Sequence, residues 1–249
     1  MRKLIVIPTY NERKNIEELL GNIFNFVPDV NVLIVDDNSP DGTGSLVNDL
    51  IDKKVFDNRL FVLHRAGKLG LAIAYIEGFT WGIENGYDVF LSMDADFSHN
   101  PKYLPEIFSA MKEYDLVIGS RYIKGGGLKD WPFLRRLISR GGNLYAQIML
   151  MTKTRDLTGG FNCYHKKFLE KINLNSIVSN GYCFQIEMKF RHILSGCKIK
   201  EIPIVFTDRI MGVSKMSGSI FKEAVLNVVK LSLIRYLVHV IRHLYLQYY

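Results

Sequence analysis

The chain has 249 residues, 48% hydrophobic and 23% charged, with a net charge of +7. This composition excludes a disordered or fibrous protein and predicts one large domain, or a core with an appendage. The positive excess fits nucleic acid, an anionic membrane surface or phosphorylated ligands.

Short apolar runs recur along the chain. Leu4-Ile5-Val6-Ile7, Val32-Leu33-Ile34-Val35, Leu60-Phe61-Val62-Leu63, Val89-Phe90-Leu91 and Leu116-Val117-Ile118 read as strands. They do not alternate with polar residues, so both faces should be buried. Between the first two, Ile16, Leu19, Leu20, Ile23 and Phe24 fall at helical spacing. Strand, helix and strand in repetition predict an α/β fold with a mostly parallel sheet flanked by helices. In such a sheet, ligands sit beyond the carboxyl ends of the strands. Polar clusters follow four successive runs: Pro8 to Glu12, Asp36 to Thr43, His64-Arg65 with Lys68, and Asp94 to His99. Four clusters at strand ends predict one ligand crevice.

Asp94-Ala95-Asp96 places two carboxylates where a strand meets a loop. One reading is a turn followed by a helix N-cap at Asp96, Ser98 or Asn100, ahead of Pro101. The other is a divalent cation, Mg2+ or Mn2+, completed by ligand phosphates. Neither G-x-x-x-x-G-K-[ST] nor G-x-G-x-x-G follows the first strand, which disfavours a phosphate-loop NTPase and a dinucleotide dehydrogenase. Gly125-Gly126-Gly127 reads as a flexible surface loop, a linker rather than a lid.

The clusters at Pro8–Glu12, Val35–Thr43 and Met93–His99 resemble the family-2 glycosyltransferases of GT-A fold. Gly119–Tyr122, Arg135–Gly141, Asp156–Phe161, Gly181–Glu187 and Asp208-Arg209 with Gly212, Ser214 and Lys215 narrow the likeness. Together they resemble the dolichyl-phosphate mannose synthases. The resemblance implies inverting, metal-dependent transfer of mannose from GDP-mannose to polyprenyl phosphate. By position, Pro8, Tyr10, Glu12, Asp37, Asp94, Ala95 and Asp96 look like the nucleotide pocket. Asp94, Asp96 and Ser98 look like metal ligands. Arg121, Arg135 and Ser139 look like the acceptor-phosphate cradle, and Arg209 and Lys215 like groups closing over the donor diphosphate. Asp156 is read either as orienting an arginine or as loop structure. Physical chemistry agrees with that set. A phosphate acceptor is already an anion and needs no strong base, whereas two repelling phosphates held in line need cations. UDP-glucose is the alternative donor. A sugar nucleotidyltransferase is the rival enzyme, disfavoured because no glycine-rich basic loop follows the first strand. A non-enzymatic membrane adaptor leaves the four clusters without a purpose.

Cys163, Cys183 and Cys197 lack paired spacing for zinc or a disulfide framework. No run of about 18 uncharged apolar residues encodes a membrane span, and the apolar run before Pro8 is too short for a secretory leader. From Arg209 onward there are six Lys or Arg against one Glu, an asymmetry that argues against a nucleic-acid coat. Leu231, Ile234, Val238, Ile241 and Tyr245 form one helical face, and Arg235, His239, Arg242 and His243 another. The expectation is a catalytic domain over 1–217 and a basic amphipathic helix over 218–249. That helix should lie on the cytoplasmic face of a membrane or contact a small membrane-anchoring subunit, making the protein a peripheral cytoplasmic one; the alternative is a helix packed on the domain or at a dimer contact.

Overall fold

The computed structural model describes residues 1–177, 179, 181–207 and 225–237. All five expected strands form. They are β1 (Lys3–Thr9), β2 (Asn31–Asp36), β3 (Leu60–His64), β4 (Val89–Ser92) and β5 (Leu116–Ser120). Helices α1 (Arg13–Phe26), α2 (Thr43–Asp52), α3 (Leu71–Glu84) and α4 (Leu104–Ala110) connect them. Further on come β6 (Gly127–Lys129), α5 (Phe133–Met149), β7 (Asn162–His165), α6 (Lys166–Lys171), α7 (Gly181–Leu194), β8 (Ile199–Pro203) and β9 (Val205–Thr207). A last helix, α8, covers 225–237.

The main sheet has seven strands in the order β3-β2-β1-β4-β7-β5-β8. β7 runs antiparallel to both β4 and β5, and the other pairings are parallel. Both sheet faces are covered, so side chains of one strand divide between two cores. Ile5, Ile7, Val32 and Ile34 pack with α1, α2 and α4. Leu4, Val6, Leu33 and Val35 pack with α3 and α7. The α1 stripe of Ile16, Leu19, Leu20, Ile23 and Phe24 is buried as its spacing predicts.

Helix α3 approaches the sheet closely because it presents Gly78 and Gly82. A Cβ on Gly82 would lie 2.6 Å from Leu4 Cδ2 and closer still to the Phe90 ring. Gly82→Ala is therefore expected to lower stability by about 1–3 kcal/mol through overpacking. Gly21, in α1, has nothing within 4 Å of such a Cβ, and Gly21→Ala should instead stabilise by up to about 1 kcal/mol. Urea unfolding of the two variants checks the pair; equal shifts would refute the close approach of α3.

The glycine triplet is not the linker expected of it. Gly127 begins β6, which pairs in parallel with β9 at Val205. A Cβ on Gly126 would lie 2.5 Å from the Ser120 carbonyl oxygen, so the triplet is a close-packed crossing. The described part of the C-terminal helix packs on the domain, the alternative held open for it. Val228 and Leu231 of α8 share a core with Ala146, Leu150, Leu157, Ile186 and Phe190. Arg235 donates to the carbonyl of Leu150 at the C-terminus of α5, where a cation complements the helix dipole. This residue of the expected basic face therefore anchors the helix to the domain. Arg209, Lys215, the 217/218 boundary and the tail from 238 lie outside the described residues. No helix among the described residues is long and apolar enough to cross a membrane.

Candidate active site

The carboxyl ends of β1, β2, β3 and β4 build one end of the site. Asp36 ties it together: it accepts from the Thr9 hydroxyl (2.9 Å) and from the Ser39 amide (3.0 Å) and hydroxyl (2.6 Å). Asp37 is left to face Arg65, with which it forms a buried ion pair. Burial raises the Asp37 pKa, against the lowering pull of Arg65. Arg65 also lies 3.0 Å from Glu77 of α3. Pro8 pairs with Val35 in the sheet. Tyr10 is exposed, with the Lys68 ammonium 4.0 Å from its ring centre. The Glu12 amide donates to Thr43 (3.0 Å), and its carboxylate accepts from Asn15 (2.9 Å).

Beyond β4 the backbone turns at Phe97, whose φ of +61° is unusual for an aromatic residue. The turn closes with the Ser98 amide (3.1 Å) and hydroxyl both donating to Asp96 Oδ1. The helix cap falls to Asn100, which accepts from the Lys102 amide ahead of the Pro101 turn. Asp94 and Asp96 are thus not spent on capping, whereas the Ser98 hydroxyl is engaged with Asp96. Tyr75 of α3 donates to Asp94 (3.3 Å). His99 Nδ1 accepts the Asp94 amide proton (3.0 Å), and burial lowers its pKa although Asp94 and Asp96 oppose. The ring is neutral, so its 3.9 Å approach to the Asp94 carboxylate is not an ion pair. Among the described residues no group of three or more His, Cys, Asp or Glu forms a metal cage. Two carboxylates at a strand end do fit a cation that keeps waters and takes ligand phosphates as its remaining partners.

β5 and the segment leading into β7 build the other end. Arg121 donates through Nε and Nη2 to the two oxygens of Asp156 (2.7 Å each), and through Nη2 to Thr158 (2.8 Å). Burial would raise the Asp156 pKa, but the Arg121 guanidinium holds it down at about 2. Asp156 therefore orients an arginine and is a poor base. Asn143 of α5 donates to Thr158 (2.8 Å) and to the Ser139 carbonyl (3.0 Å), while the Ser139 hydroxyl meets Tyr122 (2.6 Å). Arg135, one turn before Ser139, stacks on Trp131 at 3.7 Å. Arg121 and Ser139 are thus joined through Thr158 and Asn143. Phe206 of β9 bridges the two ends, its ring 5.5 Å from both His99 and the Arg121 guanidinium. Gly160 closes the gap: a Cβ there would sit 3.3 Å from His99 and 3.9 Å from Asp94.

A family model, glycosyl transferase family 2, matches residues 4–173. The chain belongs to glycosyltransferase family 2. It is 45% identical to a polyprenol monophosphomannose synthase of Mycolicibacterium smegmatis, over 91% of this chain and 85% of that one. It is 47% identical to an undecaprenyl-phosphate mannosyltransferase of Micrococcus luteus, over 92% and 93%. Among solved structures it resembles a mannosyltransferase from Pyrobaculum calidifontis in complex with GDP-Man and Mn2+. That likeness has a TM-score of 0.59 at 15% identity and covers 92% of this chain and 69% of that one. It also resembles glucosyl-3-phosphoglycerate synthase from Mycobacterium tuberculosis, at a TM-score of 0.65 and 14% identity, over 93% and 80%. The protein is a glycosyltransferase with the α/β fold of the GT-A class.

Sequence reading did not single out Arg65 as the partner of Asp37, Tyr75 beside Asp94, or Asn143 behind Arg121. Arg65 alone carried a signal, since it directly follows an apolar run at a strand end. Tyr75 and Asn143 sit on helices, and helical spacing does not report which strand end a side chain meets.

Proposed function

We propose that this glycosyltransferase moves mannose from GDP-mannose to a polyprenyl phosphate of the dolichyl type, with inversion at the anomeric carbon. The carrying observation is the two-ended site. A pair of carboxylates closes β4, and Arg121, joined to Ser139 through Thr158 and Asn143, lies across Phe206 and Gly160 from it. The names of the relatives at 45% and 47% identity support the lipid-phosphate acceptor and the mannosyl group. GDP-mannose as donor is supported by the GDP-Man complex of the mannosyltransferase sharing the fold.

In this reading Pro8, Tyr10, Glu12, Asp37 and Ala95 line the nucleotide. Asp94 and Asp96 would hold Mg2+ or Mn2+, which would neutralise the departing diphosphate. Arg121, Arg135 and Ser139 receive the acceptor phosphate, arginine through its planar fork. An acceptor phosphate oxygen forms the new bond to the anomeric carbon. The bond to the diphosphate breaks, and GDP leaves with the electron pair. No proton has to be removed, consistent with an Asp156 held as a carboxylate by Arg121.

The lipid acceptor gives a purpose to an otherwise costly surface. α5 exposes Phe133 at 81%, Leu134 at 66% and Leu137 at 57%, beside the exposed Arg136 and Arg140. α8, packed on α5, exposes Leu226, Leu233 and Leu237. An apolar face rimmed by arginine suits the headgroup layer of an anionic membrane.

The deciding experiment measures radiolabelled sugar entering organic-extractable lipid. GDP-mannose and UDP-glucose are offered in parallel with dolichyl phosphate, with manganese or with EDTA. Metal-dependent label from GDP-mannose is expected. Label from UDP-glucose alone would change the sugar, and none from either would remove the lipid-phosphate acceptor. Leu134→Glu with Leu137→Glu is expected to leave GDP binding unchanged and abolish flotation with anionic vesicles; undiminished flotation would remove α5 from the membrane face.

A further inference from the structure

Lys189 of α7 has no exposed surface. Its ammonium donates to the carbonyls of Leu157 (3.2 Å) and Gly159 (2.5 Å), inside the segment that carries Asp156 and Thr158. Other side chains hold the same segment. Asn143 accepts from the amides of Leu157 (2.9 Å) and Thr158 (3.2 Å). Glu201 of β8 accepts from those of Arg155 (2.9 Å) and Asp156 (3.0 Å). Asn162 donates to the Gly159 carbonyl (3.0 Å).

An ammonium is an expensive donor for two carbonyls. Burial draws the Lys189 pKa down to about 7, opposed by Asp156 and Glu201 and reinforced by Arg121. Below 10.5 the unfolded chain binds that proton more tightly, so stability rises as pH climbs from about 7 toward 10.5. At neutral pH the lysine costs folding free energy. What it supplies is a fixed end of the brace. Asp156 stands between Arg121, which it orients, and Lys189, which pins the two carbonyls that follow it.

We propose that Lys189 is a positioning residue for the acceptor phosphate: clamped on Leu157 and Gly159, it sets Asp156, and through it the Arg121 guanidinium. The proposal rests on reading Arg121, Arg135 and Ser139 as the acceptor end. Displacement of a positioning network by about 1 Å costs up to roughly 100-fold in rate. The clamp bonds Leu157 and Gly159, whereas Asp37 and Glu12 at the nucleotide end are held by Arg65 and Asn15.

The test compares wild type with Lys189→Met, which keeps the volume and removes the donors, and Lys189→Gln, which restores neutral donors. With dolichyl phosphate as acceptor, Lys189→Met is expected to lower kcat/KM for the lipid by about 10- to 100-fold. Its Kd for GDP should stay within twofold, and its unfolding midpoint at pH 7 should equal or exceed that of wild type. Lys189→Gln should recover part of the loss. The proposal is overturned if Lys189→Met matches wild type toward the lipid. Equal losses in GDP binding, or losses that track a lower midpoint, overturn it as well, because the lysine would then be merely structural. Absence of lipid transfer by the wild type itself would overturn the acceptor reading and the proposal with it. A transferring wild type matched by Lys189→Met sinks the proposal alone.

Discussion

Asp156→Ala is expected to lower the unfolding free energy by about 3–5 kcal/mol and to abolish transfer, because it strands a buried guanidinium. Asp156 and Arg121 are buried and meet through both carboxylate oxygens, so removal of the carboxylate leaves the guanidinium without its charge partner. The same pair predicts a pH dependence. The folded pKa of Asp156 is about 2 against 3.8 for the unfolded chain. Its stabilisation, about 2 kcal/mol on that difference, is complete above the unfolded value. It disappears as pH falls from about 4 to 2. Urea unfolding at pH 7, 4 and 2 would show a steeper acid loss in wild type than in Asp156→Ala. Parallel pH curves would mean that the ion pair contributes nothing.

Asp96→Asn is expected to fold like wild type and to lose about 10³-fold in turnover, the scale of removing a stabiliser of developing charge. Asparagine keeps an oxygen for the Ser98 amide and hydroxyl, so the turn at Phe97 survives. Asp96→Ala would leave those buried donors without this acceptor and add about 1–3 kcal/mol of destabilisation. Comparing the two separates folding from chemistry. Asp94→Asn should behave alike, since Tyr75 and His99 hold its neighbourhood in place. EDTA should reproduce the loss and manganese reverse it. Full turnover by Asp96→Asn would remove both carboxylates from the proposed chemistry.

The parallel half of the sheet was legible because its strands are uninterrupted apolar runs, the pattern that burial on two faces demands. β7 was not. Asn-Cys-Tyr-His carries no strand signal, and its buried asparagine donates through Nδ2 to Gln185, 23 residues away, and to the Gly159 carbonyl. The glycine triplet misled for a related reason: chain composition suggests freedom, while the Ser120 carbonyl beside Gly126 forbids a side chain. The carboxylates after β4 stood out because a strand end is a local feature. The role of Asp156 stayed open between two readings, since its partner lies 35 residues earlier. Lys189 was invisible, because a lysine on a helix reads as solvent-facing until the fold encloses it.

The insertion of β7 between β4 and β5 also has a thermodynamic side. β5 and β7 pair at Ile118 with Asn162, and the Gly119 amide meets the Phe161 carbonyl at 2.8 Å. Residues 120–161 therefore leave and re-enter the sheet at almost one point, as a loop already closed. Lengthening such a loop is cheap, about 0.6 kcal/mol for each doubling. Arg121, Arg135, Ser139 and Asp156, with α5 and its apolar face, are carried on this excursion. The other end of the site is carried by β1, β2, β3 and β4, outside it. A scaffold of this shape lets the insert be rebuilt without renegotiating the strands outside it.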